Sequence, residues 1–325
     1  MNISTIAYLY GLEPKTLHKW YKEQISNYKT DKESGLFLGQ KAFEVAEQTG
    51  EVIKEIPIQI FKPTNIGSNM CIDEKMIGKR YYTILSNQET GKIAFLIGTM
   101  NPKIISNGLA KFEKSLGKVI RINCDMSPTM KKICADNFIN AQIIVDKFHV
   151  IKHVMDALNT VRLNIKKTLK ITDNINKNNP NGWTDLEFLE KAKYLTYKLM
   201  DELELEQKNL LKQLLLKFPT LKEAYGYVEE IRNWYSRENI NKHIWAIERE
   251  KDIWMNKMEK SKLKEFKIIR KMFDKHEEDI NRFFENGASN AKAENLNARI
   301  QRFLSNNFGA KDRDFFFYRT QIYFA

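Results

Sequence analysis

Cysteine is scarce in this chain: three residues in 325, at Cys71, Cys124 and Cys134. No two stand in a Cys-x-x-Cys spacing, so a zinc ribbon has no support, and scattered thiols fit a reducing compartment. Long apolar runs are missing as well. No stretch is long enough to span a bilayer, and "MNISTIAYLYGL" lacks a basic n-region and a cleavage-like site. The expectation is a soluble cytoplasmic protein with no membrane partner. Acidic residues are outnumbered, 41 Asp+Glu against 53 Lys+Arg, which gives a net charge of +12. A basic balance of that size favours a polyanionic partner, with nucleic acid foremost. No fixed-period repeat is visible. What remains is globular in composition, 42% hydrophobic and 29% charged, and long enough for more than one domain.

Local patterning divides the chain. Residues 1–30 predict a helix-turn-helix: Ile6, Leu9, Leu12, Leu17 and Trp20 fall at helical spacing, Gly11 suits the turn, and Pro14 suits a first helical position. Its second helix would present Lys15, Thr16 and Lys19 to DNA bases or phosphates, although any small helical hairpin fits the same pattern. Residues 31–68 read as a connector. From 69 to 146 the pattern is β-β-β-α-β-α-β: "NMCIDEK", "KRYYTILSN" and "KIAFLIGTM", a helix over 102–117, "KVIRINC", a helix over 127–138, then "AQIIVD". That order describes an α/β fold, a mixed sheet with helices on its faces. Residues 147–286 are all-helical, and 287–325 supply a last helix, "NAKAENLNARIQRFL", and an aromatic tail.

Two carboxylates stand out. Asp73 is read at the end of the first strand of this block and Asp125 at the end of the fourth. In a meander the first strand can take the fourth as its parallel neighbour, which brings both acids to one sheet edge. Taken singly, each also reads as a turn or helix-cap residue. Together they repel, and a bound cation keeps both ionised; hard oxygen ligands favour Mg²⁺ or Mn²⁺. A third acid can come from the last helix, where Glu294 shares a face with Asn297 and Gln301 while Leu296, Ile300 and Phe303 form a core stripe.

The blocks "CIDEKMIGKRYYTILSNQETGKI", "INCDMSPTMKKICADNFINAQIIVDKFHVIKHVMDALN" and "SNAKAENLNARIQRFLSNNFGAKDRD" resemble, in that order, a DDE transposase of the bacterial ISL-three insertion-sequence family. The resemblance implies a ribonuclease-H-like core interrupted by a helical insertion, with Asp73, Asp125 and Glu294 as catalytic metal ligands for two divalent cations, Mg²⁺ or Mn²⁺. It implies cleavage at element ends and transfer of the 3′-OH into target DNA, so the expected partners are terminal inverted repeats and target DNA. A homodimer is expected because two ends are cut in one complex. The cysteine-rich region usual in the family does not precede Ile3, so a separate polypeptide is expected to carry it. Nucleoid association follows from the same reading. Two rival functions remain open: a catalytically inactive DNA-binding regulator, and a nuclease without strand transfer.

Other features are weaker. "DKFHVIKHVMD" sets His149 and His153 on one helical face but lacks the glutamate of His-Glu-x-x-His, which argues against a metalloprotease. The resemblance instead puts Asp146 and His149 beside the catalytic edge, supporting the metal ligands or touching DNA. Arg162, Lys166, Lys167 and Lys170 form a short basic stretch, a DNA-contact candidate or a solvated face. Trp234, Trp245 and Trp254 read as core.

Overall fold

A computed structural model describes residues 3–34, 40–172, 182–286, 291–307 and 310–325. The chain begins with α1 (Ile3–Leu9), α2 (Pro14–Trp20) and α3 (Tyr28–Glu33). Five strands follow: β1 (Lys41–Val45), β2 (Val52–Phe61), β3 (Asn69–Ile77), β4 (Arg80–Asn87) and β5 (Ile93–Ile97). Then come α4 (Pro102–Ala110), β6 (Arg121–Cys124), α5 (Pro128–Asn137) and β7 (Gln142–Val145). The helical stretch contains α6 (Lys147–Thr172), α7 (Asp185–Lys191), α8 (Leu205–Lys217), α9 (Pro219–Trp234), α10 (Ile244–Lys260), α11 (Lys264–Lys275), α12 (Glu277–Asn281) and α13 (Phe283–Asn286). The chain closes with α14 (Ala291–Asn306) and α15 (Arg313–Phe324). It divides into two compact units, residues 1–144 with 289–325, and residues 145–288.

The first unit is built on a seven-stranded mixed sheet in the order β1-β2-β5-β4-β3-β6-β7. β3 and β4 pair antiparallel around Gly78 and Lys79, both at positive φ (53° and 67°), as a two-residue hairpin of the right twist demands. β4 and β5 are antiparallel, and β3 and β6 are parallel. Helices start where the sequence caps them. The Asn101 side chain accepts from the Lys103 and Ile104 N–H groups ahead of α4, and the Ser127 hydroxyl accepts from Met130 N–H ahead of α5. Proline occupies an early position of both helices, where its missing N–H costs nothing.

One face of the sheet buries Met70, Ile72, Ile122 and Cys124 against Ile105 and Leu109 of α4 and Met130 and Ile133 of α5. The other buries Ile77, Ile84 and Leu96 against Leu296 and Ile300 of α14 and Phe316 and Phe317 of α15. All three cysteines are buried, and none is in a disulfide.

Residues 31–68 are not a simple connector, because they hold the β1–β2 hairpin, which extends the sheet beyond β5. The first half of β2, Val52–Glu55, is exposed along its whole length, apolar Val52 and Ile53 as well as charged Lys54 and Glu55, so the strand shows its alternation only from Ile58. The N-terminal segment is also more than a free-standing hairpin. α1 and α2 join through Gly11 at φ 65°, and the following chain is fastened to α15. The Tyr318 O–H donates to the Ser26 carbonyl (2.8 Å) and the Asp31 carboxylate (2.7 Å). Tyr28 meets Phe315 and Tyr318 edge-on, each with centroids 5.1 Å apart, and the Lys22 ammonium pairs with Asp312.

The second unit is all-helical around an aromatic cluster. Trp234 donates from Nε1 to the Ile247 carbonyl at 2.9 Å and packs against Trp254, Phe273 and Phe284. Trp234 and Trp254 are thus core. Trp245 is not: it is 58% exposed at the start of α10, on the helix side away from buried Ile247 and Trp254. Among the described residues no helix is long and apolar enough to cross a membrane.

Asp312 has two jobs, capping α15 through the Phe315 N–H and pairing with Lys22. Burial alone would push its carboxyl up, but the Lys22 ammonium, the Phe315 N–H and nearby His18 outweigh burial and hold it below the usual range. A carboxylate depressed on folding stabilises above its unfolded value, near ~3.9, and that contribution is lost as pH falls through the lower folded value. Asp312→Ala should therefore cost about 1 kcal/mol at neutral pH, mostly as a lost cap, and lower the melting temperature by roughly 2–4 °C. The deficit should shrink below about pH 4, as read by thermal melts across pH.

Candidate active site

The register between β3 and β6 decides where the two aspartates fall. Asn69 pairs with Arg121, Met70 with Ile122 and Cys71 with Asn123. Continued at the same offset, Asp73 lies level with Asp125, on strands about 4.8 Å apart. Level residues of parallel strands point to the same face, opposite to Met70, Ile72, Ile122 and Cys124. Both aspartates therefore face the side covered by α14. Asp73 does not end its strand as expected: β3 runs on to Ile77 because Glu74–Ile77 still pair with β4. It is β6 that stops, at Cys124, so Asp73 sits where its parallel neighbour ends.

Hydrogen bonds fix both carboxylates. Asp73 Oδ1 accepts from the Glu74 N–H at 2.8 Å, and Oδ2 accepts from Asn297 Nδ2 of α14 at 2.7 Å. Asp125 Oδ1 accepts from the Ser127 N–H at 2.8 Å, which closes a local turn just before Ser127 caps α5. The turn-forming and edge-facing roles of Asp125 thus coexist. Both aspartates are half-buried. A carboxylate oxygen offers two lone-pair directions, so an oxygen that accepts one hydrogen bond can also bind a cation.

Glu294 lies in the first turn of α14, one turn before Asn297 and on the same flank of the helix. Its side chain is exposed. Among the described residues no three His, Cys, Asp or Glu side chains stand close enough together to hold a metal ion. The donors at the edge, Asp73, Asp125 and the Asn297 amide, are all hard oxygen groups of the kind that suits Mg²⁺ or Mn²⁺. Asn297 was visible in the sequence as a companion of Glu294 at i+3, but nothing there pointed to its bond with Asp73.

Asp146 and His149 open α6 in the second unit. Asp146 is 6% exposed and accepts from the Phe148 N–H and the His149 ring, each at 3.0 Å, which is a helix-capping arrangement. Arg162 does not meet the expectation of a DNA contact. It is 6% exposed, and its guanidinium binds Asn159 on its own helix and Glu190 on α7. Lys166 shares that Glu190 carboxylate at 3.0 Å. The basic stretch therefore spends two of its charges joining α6 to α7, while Lys167 is exposed. The side chain of Lys170 lies outside the described residues. Lys15, Thr16 and Lys19 are all exposed on α2, as a DNA-reading surface requires.

A family model described as "Transposase", that of the ISL3-type DDE transposases, matches residues 70–320. The chain belongs to that family, and membership implies DNA as its partner. No curated protein and no solved structure matches the chain.

Asn297 orients one carboxylate of the edge, and such supporting bonds typically govern metal affinity by roughly 10–100-fold. Asn297→Ala should weaken Mn²⁺ binding, measured by calorimetry, by about that factor, with little change in the melting temperature of the metal-free protein.

Proposed function

We propose that this chain is a metal-dependent DNA transposase with a ribonuclease-H-like core, and that Asp73, Asp125 and Glu294 are its catalytic carboxylates. The observation that carries the reading is the common offset of β3 and β6, which sets Asp73 beside Asp125 on the face where α14 brings Asn297 to Asp73. The strand order β5-β4-β3-β6-β7, with β3 central, supports the same core. The β1–β2 hairpin is an addition at the far edge.

In this reading two divalent cations, when bound, supply the charge that activates a water or 3′-hydroxyl and stabilises the leaving oxygen of an in-line displacement at phosphorus. The chain's own residues do the positioning. Asp73 and Asp125 hold the cation sites at the sheet edge. Asn297 keeps Asp73 in a fixed rotamer, and its bond also ties α14, hence Glu294, to the sheet. Glu294 completes the acid set from the solvent side of α14. Neither cleavage nor joining requires a covalent protein intermediate. The exposed cations Lys15, Lys19 and Lys167, with Thr16, contact DNA, and Asp146 with His149 supports the site or a DNA phosphate. The chain acts as a homodimer on paired inverted repeats.

Asp125→Asn keeps the Ser127 turn but removes a charge. It should depress cleavage and joining of a labelled element-end duplex in Mg²⁺ by at least about 10²-fold while leaving duplex binding within a factor of two or so. Joining at the wild-type rate would refute the assignment. Cleavage without joining by the wild-type chain would mark a nuclease, and binding without cleavage a regulator.

A further inference from the structure

A second feature of the first unit is not used by the chemistry above. Between α1–α2 and the α14–α15 pair lies a groove of about 470 Å³ lined by Arg299, Arg302, Arg319, His18, Asn307 and Tyr323 among others, with no carboxylate in its lining. Arg299 and Arg302 are exposed, and among the described residues none of the three arginines is ion-paired with an acid. Arg319 is held in place by rings, its guanidinium over Phe303 at 4.8 Å, Tyr21 at 5.3 Å and Phe315 at 5.6 Å, and it donates to Asn307. Its Nε is buried and has no hydrogen-bond partner. Arg299 lies over Phe324 at 5.0 Å. Next to it, a second hollow that shares His18, Asn307 and Arg319 adds Lys15, Lys19, Lys22 and Lys311, together with the carboxylates of Glu23 and Asp312, the latter paired with Lys22.

Unpaired cations repel one another, so a groove lined by three arginines and no carboxylate stores an electrostatic cost that an anion relieves. Stacked, pre-oriented guanidiniums suit phosphate better than mobile ammoniums do. An open row of cations, rather than a closed cup, suits a repeating polyanion. α14 supplies the link to the site. Asn297 touches Asp73, and Arg302 stands five residues further along the same helix, about 7.5 Å away along its axis and about 140° around it, so the groove and the aspartate edge lie on different flanks of α14.

We propose that this groove is a phosphodiester-binding track for the DNA backbone, on a flank of α14 other than the one that meets Asp73. The N-terminal helices and the C-terminal helix build it jointly. This rests on the DNA-processing reading, and it assigns Arg299, Arg302 and Arg319 a role beside the one that the helix-turn-helix expectation gave to Lys15, Thr16 and Lys19.

The test is fluorescence anisotropy of the full chain with labelled single-stranded and duplex oligonucleotides in EDTA, over about 50–200 mM salt. Replacing both exposed arginines, Arg299→Gln with Arg302→Gln, should make the slope of log K against log[salt] shallower by about 2 and weaken binding at least about tenfold at low salt. Arg299→Lys with Arg302→Lys keeps the charges and should retain most of the slope. A larger loss for single strands than for duplex identifies a frayed strand as the occupant, and an equal loss identifies duplex backbone; both support the track. An unchanged slope in the Gln variant overturns it, and so does a Lys variant as weak as the Gln variant, which would mean the arginines serve packing. Because no metal is present, a chain that fails to cut DNA but shows the slope change keeps the track and loses the transposase reading. A chain that cuts and joins with an unchanged slope does the reverse.

Discussion

The parallel pairing of β3 with β6 is the constraint on which the first unit turns. Three residue pairs share one offset, and that offset leaves no freedom over where Asp73 and Asp125 emerge. A slip of one residue would send Asp125 to the opposite face, into the cluster of Met130, Ile133 and Cys134. Burying an unpaired carboxylate there would cost several kcal/mol, so the apolar alternation of Ile122 and Cys124 enforces the same register that the acids need. Core packing and site geometry are one decision in this short strand.

The same logic extends to α14. Its Leu296 and Ile300 are buried against the sheet, and this fixes the rotation of the helix. Asn297, one position after Leu296, then falls against Asp73. The helix is separated from β7 by the whole second unit in sequence, yet it belongs to the first unit by packing. The aromatic tail explains how it is held. Phe316 and Phe317 share the α14 cluster, while Phe315 and Tyr318 of the same helix secure Tyr28 and Ser26 of the N-terminal segment. α15 thus ties both chain ends to the sheet face that carries the carboxylates.

Much of this was legible in the sequence, because the signals were local. The β-β-β-α-β-α-β order follows from runs of apolar residues broken by Ser-Pro and Asn-Pro helix starts, and those signals need no tertiary information. What was missed depended on partners far away in sequence. The β1–β2 hairpin hides because the first half of β2 is exposed along its whole length. Asp73 seemed to end its strand because Glu74 and Lys75 look like a polar terminus, whereas pairing with β4 carries the strand through them. Arg162 looked like a DNA contact because its acid partner Glu190 is 28 residues on. Trp245 looked like core because three tryptophans in helices share one prior, and only the rotation of α10 separates it from Trp254.

The arrangement on α14 has a mechanical consequence. Acid and arginine on one helix are spaced by the helix itself, whose hydrogen-bonded backbone does not stretch as a loop does. If the proposed track and the proposed site both hold, DNA bound at Arg302 is kept at a fixed offset from Asn297, about 7.5 Å along the helix axis and about 140° around it. Misplacement on the scale of 1 Å already costs large factors in rate for in-line chemistry. The proposed grip and the proposed cut site could not then be tuned independently, since any change that rotates α14 to improve one moves the other and breaks the packing of Leu296 and Ile300 on the sheet.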